Sequence, residues 1–429
     1  MQDSGRYKIP ADYYIGACIC LSFVIIALVL DSPAQILLNY LKINTSRSVL
    51  ITDYIALAGI GAAFVNSAIM GFLNLVLLVI NKREPNGKII AALFLTIGFS
   101  LFGKNMLNTL PIMMGVWLYG KCNKVKFSDL LVHVMLCGTI APLVSEIAFL
   151  NDSASFPKIL AAYGTGLFVG FIFPVVVESV KRMHRGYCLY NGGIAGGFIA
   201  TFFVGLLRSA GIDILPENFW DTSHSFFLAF LTYAIAAALI IYGIVRDKPV
   251  NACKQFIKLL KEKDHNENDY FVKYGSTCYI NIGVMCILST SLMLFMGIPI
   301  NGPVLGGILT VTGFAAAGKH PVNTLPIFIG SIAAVHFNHI DPTYSLNALA
   351  ILFSTGLAPI SGKHGWLAGI AAGFFHVSVA IFIGQLNGGL NLYNNGFAGG
   401  FVAITVVPVI VFLKELVEKN SNRIKEGKN

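Results

Sequence analysis

Apolar residues in this chain gather into long runs rather than alternating stripes. The runs cover 13–30, 54–80, 88–102, 109–120, 127–150, 159–180, 190–211, 223–245, 271–296, 303–317, 324–336, 345–361, 367–386 and 395–413. A run of about 20 apolar residues crosses a hydrocarbon core of about 30 Å as an α-helix. Ten of the runs are long enough to be read as spans. The other four form two close pairs, 88–102 with 109–120 and 303–317 with 324–336. Residues 274–318 and 364–413 contain no Asp, Glu, Lys or Arg at all. The pattern predicts an all-α integral membrane protein, since a transmembrane β-barrel would show short alternating segments. The run 13–30 resembles the apolar part of a signal peptide. No small-residue cleavage site precedes Asp31-Ser32-Pro33-Ala34, and the run has a counterpart in mid-chain, so it is read as a span.

The runs are written twice. Asn86 to Gly115 aligns without gaps on Asn301 to Gly330, with 12 of 30 positions identical. Within it, "GKNMLNTLPIMMG" from Gly103 answers "GKHPVNTLPIFIG" from Gly318. "LYNGGIAGGFIA" (Leu189 to Ala200) matches "LYNNGFAGGFVA" (Leu392 to Ala403) at 9 of 12 positions. Asp53-Tyr54 pairs with Asp269-Tyr270, and Asp31-Ser-Pro with Asp247-Lys-Pro. Two copies, 1–212 and 213–429, therefore fill the chain. A more polar stretch, 31–53 or 246–270, follows the first run of each copy and suits an interfacial helix.

Five long spans plus a short pair make an odd number of crossings per copy, whether the pair contributes two crossings or none. The second copy then enters the membrane upside down. Charge supports this inversion. With the N-terminus inside, the segments 1–12, 81–88, 119–126, 181–188, 246–270, 362–366 and 414–429 hold 23 of the 30 Lys and Arg residues, and the outside loops hold 3. Lysine and arginine collect in cytoplasmic loops. The net charge of +9 is explained in the same way and does not call for nucleic acid. Both termini and the linker 246–270 are placed in the cytoplasm, with the chain in the cytoplasmic membrane. Eight scattered cysteines without a CxxC pair predict neither disulfides nor a metal site.

The short pairs carry the candidate chemistry. At 1.5 Å rise per residue, 15 or 12 residues do not comfortably cross the core. Each pair is expected to form a re-entrant helical hairpin with the repeated phrase at its tip. Gly103 and Gly318 would end the first arms. Asn108 or Thr109, and Asn323 or Thr324, would cap the second arms, with Pro111 and Pro326 in their first turns. Helix N-termini offer free N–H groups and partial positive charge. With Lys104 and Lys319 nearby, two tips meeting at the midplane would form an anion-friendly site. The substrate-binding set is then Lys104, Asn108, Thr109, Lys319, Asn323 and Thr324. The plainer alternative has the arms crossing fully and the lysines snorkelling to the surface.

Other residues admit two readings each. His376 lies mid-span and is either a bonded bundle histidine or a proton-coupling group. Glu146 falls near the outer end of its span, either interfacial or a coupling group. The GxxxG phrases Gly193–Gly197 and Gly396–Gly400 suit close helix packing or exposed backbone beside a ligand. Asn191 and Asn394 would cap these helices. No phosphate loop, HExxH or nucleophile elbow occurs, so no enzyme activity and no cofactor are expected.

The doubled "NTLPI" and "YNxGxAGGFxA" phrases resemble a bacterial family of multi-pass membrane proteins known only as a domain of unknown function. In architecture the chain is similar to inverted-repeat secondary transporters with paired hairpins, and to urea-type channels of two pseudo-symmetric halves. The resemblance brings no substrate; the inverted doubling and the twinned breaks point to a secondary transporter of a small polar or anionic solute, coupled to H⁺ or Na⁺, with a passive channel as the alternative. A membrane enzyme or sensor scaffold, with 246–270 as a docking surface, is the third class. Association into a homo-oligomer stays open. The inversion makes a direct prediction: single cysteines in 119–126 and in 337–344 are expected to react with an impermeant maleimide from opposite faces. Labelling of both from the same face would remove the symmetry.

Overall fold

The computed structural model describes residues 8–214, 219–263 and 269–426. These are almost wholly helical; the extended pairing among them is two isolated bridges, Thr52 with Phe219 and Asp53 with Phe102. The first half carries α1 (Ala11–Leu30), α2 (Pro33–Asn44), α3 (Tyr54–Ile80), α4 (Gly87–Phe99), α5 (Met106–Asn123), α6 (Phe127–Leu136), α7 (Ala141–Ala148), α8 (Phe156–His184) and α9 (Asn191–Ser209). The second carries α10 (Ser225–Asp247), α11 (Pro249–Leu259), α12 (Tyr270–Tyr274), α13 (Cys278–Phe295), α14 (Gly302–Phe314), α15 (Pro321–Phe337), α16 (Ser345–Ser354), α17 (Ala358–His364), α18 (Trp366–Asn387) and α19 (Asn394–Glu426). Among the described residues, 10 helical stretches are long and apolar enough to cross a membrane, matching the ten long runs. Phe295 is 88% exposed and Leu367 85%, so large apolar side chains point outward, as they do toward lipid. The chain is a multi-pass membrane protein.

The short first arms form the centre. Every residue of α14 is buried, and so is α4 apart from Lys88. The two run antiparallel: Gly87 lies against Ala316, Gly98 against Gly306, and Gly313 against Ala91. A Cβ on Gly98 would sit 2.6 Å from the Gly306 carbonyl oxygen, and one on Gly306 would sit 2.5 Å from that of Gly98. Only glycine lets two helix backbones approach so closely. Each half also caps the other. Asp269 accepts the Gly87 N–H at 2.8 Å while capping its own α12 through Val272. Asp53 accepts the Gly302 N–H while capping its own α3 through Ile55. The first donor of α4 and of α14 is thus met from the opposite half, while the N-caps Asn86 and Asn301 accept from Ile89 and Val304.

Around this pair the same devices recur. α5 packs on α8 where Gly115 and Gly170 meet opposing backbone, and α15 packs on α18 through Gly330 and Gly373. The two phrases read as GxxxG do pack: Gly193 lies against Gly396 and Tyr393, Gly197 against Phe397, and Gly400 against Ile194. α9 and α19 cross there. Among the described residues three spans are interrupted by 3₁₀ turns, one of them at Gly275–Thr277 between α12 and α13. Cys137–Ile140 separates α6 from α7, and Thr355–Leu357 separates α16 from α17.

The second arms begin earlier than the spacing predicts. α5 starts at Met106 and α15 at Pro321, with Asn105 and His320 as N-caps. Asn108 and Asn323 sit three residues further on and complete capping boxes, so Pro111 and Pro326 lie inside the helices. Asn191 and Asn394 do not cap either. Asn191 Oδ1 pairs with His184 Nε2 at 2.6 Å, and Asn394 Oδ1 accepts from Asn387 Nδ2 at 2.6 Å. Residues 264–268 of the linker 246–270 lie outside the described residues.

Steric closure at the centre sets the expected cost of enlarging it. Gly98→Val is expected to destabilise by about 1–3 kcal/mol or more, because the contact is backbone and has no side chain to yield. Gly205→Ala, on an α9 face with nothing within 4 Å, is the control and is expected to be neutral. Thermal unfolding in detergent compares the two; equal melting temperatures would contradict the packing.

Candidate functional site

The two tips are built alike. Gly103 and Gly318 turn the chain at φ +74° and +132°, in the region glycine favours. Asn108 Oδ1 accepts from the Asn105 N–H at 2.9 Å, and its Nδ2 donates to Gly103 O at 3.0 Å and Ser145 Oγ at 2.8 Å. Asn323 Oδ1 accepts from the His320 N–H, and its Nδ2 donates to Gly318 O, both at 3.0 Å. Thr109 donates to Asn108, and Thr324 to the His320 carbonyl. Neighbouring spans fasten the tips from outside. Asn66 Nδ2 donates to Ser100 O at 2.7 Å and Lys104 O at 2.9 Å; Asn281 Nδ2 donates to Ala315 O at 3.0 Å and Lys319 O at 2.7 Å. The four tip asparagines and threonines of the sequence-derived set therefore hold the turns together and face the protein rather than a ligand space.

Lys104 and Lys319 are buried, at 1% and 0% exposure. They do not snorkel; their side chains run inward from the tips. Lys104 Nζ donates to Thr96 Oγ1 at 3.3 Å and to Met135 O at 3.1 Å, beside the break at Cys137–Ile140. Lys319 Nζ donates to Thr355 Oγ1 at 2.9 Å, at the other break, and to the Tyr190 hydroxyl. It also lies 4.4 Å from the Tyr190 ring centre and 5.2 Å from that of Phe314. Among the described residues neither nitrogen has a carboxylate partner. A buried ammonium held only by neutral groups is costly, and an anion within reach relieves that cost.

The two lysines do not share one midplane site. Since α4 and α14 lie side by side, each tip stands at the level where the other hairpin begins: Ala316 is beside Gly87, and Leu101 is beside Gly302. At about 1.5 Å per residue the 13-residue arms separate the tips by about 20 Å. The space between is filled by an aromatic cluster. Tyr190 and Tyr393 rings stand 4.6 Å apart, Phe99 and Tyr393 5.3 Å, Phe353 and Tyr393 5.2 Å, and Tyr190 and Phe314 4.8 Å.

A cavity of about 500 Å³ reaches this cluster from one end. Its mouth carries Arg83, Lys88 and Lys181 against Asp129, Glu178 and Asp269, a balanced set; Tyr190, Phe314 and Tyr393 line it further along, with Gly318 of the second tip. Tyr190 thus forms part of its wall, with Lys319 buried behind it. At the other end Gly103 is packed on Leu392. There Leu50 N–H bonds Gly389 O at 2.9 Å, and Arg47 grips both oxygens of Glu146 at 3.2 and 2.9 Å. Glu146 is 1% exposed, and its partner Arg47 is partly buried beside it. His376 is fully buried on α18, near Gly399 and Cys188 behind the cavity wall, and the structure does not bring it to Glu146.

Sequence reasoning missed Tyr190, Thr355 and Thr96 as lysine partners. Tyr190 stood in a repeated phrase, but that phrase was read only for its glycines and its capping asparagine. The breaks also had a signal: Ala141-Pro142 and Ala358-Pro359 occur at matching places.

A model of the family described as "Protein of unknown function (DUF1576)" matches residues 32–209 and 248–412, about four fifths of the chain. No curated protein and no solved structure matches.

Asn281→Leu is expected to destabilise by about 1–3 kcal/mol, since it leaves the Ala315 and Lys319 carbonyls unpaired in a buried site. The same cost is expected at Asn66→Leu. Unfolding in detergent measures both, and wild-type stability in either would show that the tips do not depend on these bonds.

Proposed function

The chain belongs to the DUF1576 family of proteins of unknown function, and we propose that it is a secondary transporter of a small anionic or polar solute. On this proposal the halves are inverted-topology repeats in the cytoplasmic membrane, with α4–α5 and α14–α15 as re-entrant hairpins and both termini cytoplasmic. The observation that carries the reading is a cavity lined by Tyr190 and Gly318, with the Tyr190 hydroxyl bonded to a buried lysine, Lys319, that has no carboxylate partner among the described residues. A solute oxygen bearing negative charge would complete the shell of Lys319, with the Tyr190 and Thr355 hydroxyls setting its direction.

The central contacts support inversion. Exchanging each residue for its counterpart 215 positions away turns the Gly98–Gly306 contact into Gly313–Ala91, and Gly87–Ala316 into Gly302–Leu101. A two-fold axis in the membrane plane makes these exchanges, and it relates the repeats of many secondary transporters. Such a protein alternates by opening one end while closing the other. On this proposal the end bearing Arg83, Lys88 and Lys181, which line the cavity, is the open one, and the end held by Arg47–Glu146 is the closed one. Those basic residues belong to segments 81–88 and 181–188, which the charge count puts in the cytoplasm. The coupling gradient is H⁺ or Na⁺, and His376 and Glu146 are the residues proposed to respond to it.

In liposomes screened with radiolabelled anions and neutral polar solutes, the purified protein is expected to give saturable flux. Lys319→Met is expected to lower it by about tenfold or more, the scale of one lost charged hydrogen bond, without lowering the melting temperature, because it also removes a buried charge. Undiminished flux in that variant ends the site assignment. Flux that never saturates and ignores ion gradients selects a passive channel instead. Absence of flux for every solute returns the reading to an enzyme or scaffold.

A further inference from the structure

The two interfacial helices occupy matching places but differ in charge. α2 turns Leu37, Leu38 and Leu41 outward, at 60, 63 and 51% exposure, with Lys42 its one charged residue. α11 docks through Ala252 and Leu259, both fully buried. Its opposite face carries Val250, Lys254, Ile257 and Lys258, and Lys261 continues that face beyond the helix end. At helical spacing these residues fall on one side. Val250 and Ile257 are 71 and 54% exposed, and the three lysines are exposed beside them. Lys248 and Lys263 flank the stretch, also exposed.

Among the described residues of this segment, Asp247 and Glu262 do not balance these lysines, because they face the protein; Asp264 and Glu267 lie outside the described residues. Asp247 accepts from the Thr277 hydroxyl, and Glu262 accepts from the Tyr274 hydroxyl and pairs with Lys273. What is left outward among the described residues is aliphatic surface rimmed by unneutralised ammonium groups. That is the chemistry of a helix seated at the headgroup level of a bilayer containing anionic lipid. The far end of α11 is joined to the second tip. The carbonyl of Glu262 lies 3.1 Å from His320 Nε2, and His320 is the N-cap of α15 next to Lys319.

We propose that α11 is a docking surface for anionic phospholipid headgroups, and that lipid held there steadies the Gly318–His320 tip. The inference does not depend on transport. It follows from the outward lysines, the inward acids and the Glu262–His320 bond. α2, with its single lysine, has no such preference.

The test uses the full-length protein in nanodiscs of equal phosphatidylglycerol and phosphatidylcholine. Native mass spectrometry is expected to find phosphatidylglycerol retained several-fold over phosphatidylcholine. In Lys254→Gln/Lys258→Gln/Lys261→Gln the excess is expected to fall to about one, since each surface lysine contributes roughly a fivefold attraction to an anionic leaflet. The substitutions are exposed and leave the docking residues in place. Equal retention of both lipids by the wild type, or an undiminished excess in the triple variant, overturns the docking surface. Hydrogen exchange of peptides covering 318–324 is expected to slow with phosphatidylglycerol in the wild type and not in the variant. Exchange indifferent to lipid in the wild type overturns the link to the tip. Inorganic phosphate is expected to leave both readouts unchanged; if it reproduces them, the ligand is free anion and not lipid.

Discussion

The contact between α4 and α14 is the constraint on which the rest depends. Two helices of 13 residues, too short to cross a bilayer comfortably, are pressed together until only glycine fits at Gly98 and Gly306. Short helices in hydrocarbon leave their terminal N–H and C=O groups far from water, where an unpaired group costs several kcal/mol. The chain meets the demand of the starting N–H groups partly from the far half and that of the closing carbonyls from a neighbouring span of the same half. Asp53 and Asp269 cap the opposing first arm, and Asn66 and Asn281 take up the carbonyls where the arms end. Neither hairpin is complete on its own, so the halves are tied together by hydrogen bonding as well as by packing.

This arrangement places two lysines inside the protein, among helices apolar enough to cross a membrane. Each tip carries a lysine directly after its turning glycine, and backbone bonds fix the tip. The ammonium must then run inward along its own hairpin rather than out to the surface. Thr96 and Met135 O receive one, and Thr355 and Tyr190 the other. Both receiving spans are broken by a 3₁₀ turn at that level. Broken helices expose backbone acceptors inside protein, which is where irregular backbone survives at membrane depth.

Much of this was legible in the sequence because it is periodic or repeated. The long runs became spans, and the glycine at each tip took a positive φ. The repeat also marked Asp53 and Asp269, but only as matched letters; that each serves the other half is a long-range fact no local pattern carries. The start of the second arms was misplaced because "NTLP" looks like a cap followed by a first-turn proline. The preceding Asn105 and His320 compete for the same role and win, since Asn108 and Asn323 then close reciprocal boxes. The tip-to-tip site failed for a related reason. Arm length suggested a half-way turn, whereas sideways packing of the arms lets each one reach the other's starting level.

The two lysines are equivalent by position but not by environment, and the difference is written in the chain. The counterpart of Thr96, which holds Lys104, is Val311; the counterpart of Thr355, which holds Lys319, is Gly138. Each half has one hydroxyl for its lysine, supplied by a different element. The tyrosines divide in the same way. Tyr190 accepts from Lys319, whereas Lys104 turns to its own hairpin and leaves Tyr393 to the aromatic cluster. A symmetric sequence would give two ends of equal free energy. This one has a threonine within the first arm for Lys104 and a threonine in the broken span for Lys319. The cavity that reaches the Tyr190, Phe314 and Tyr393 cluster lies on the Lys319 side, where the lysine draws one hydroxyl from a broken span and the other from the opposite half.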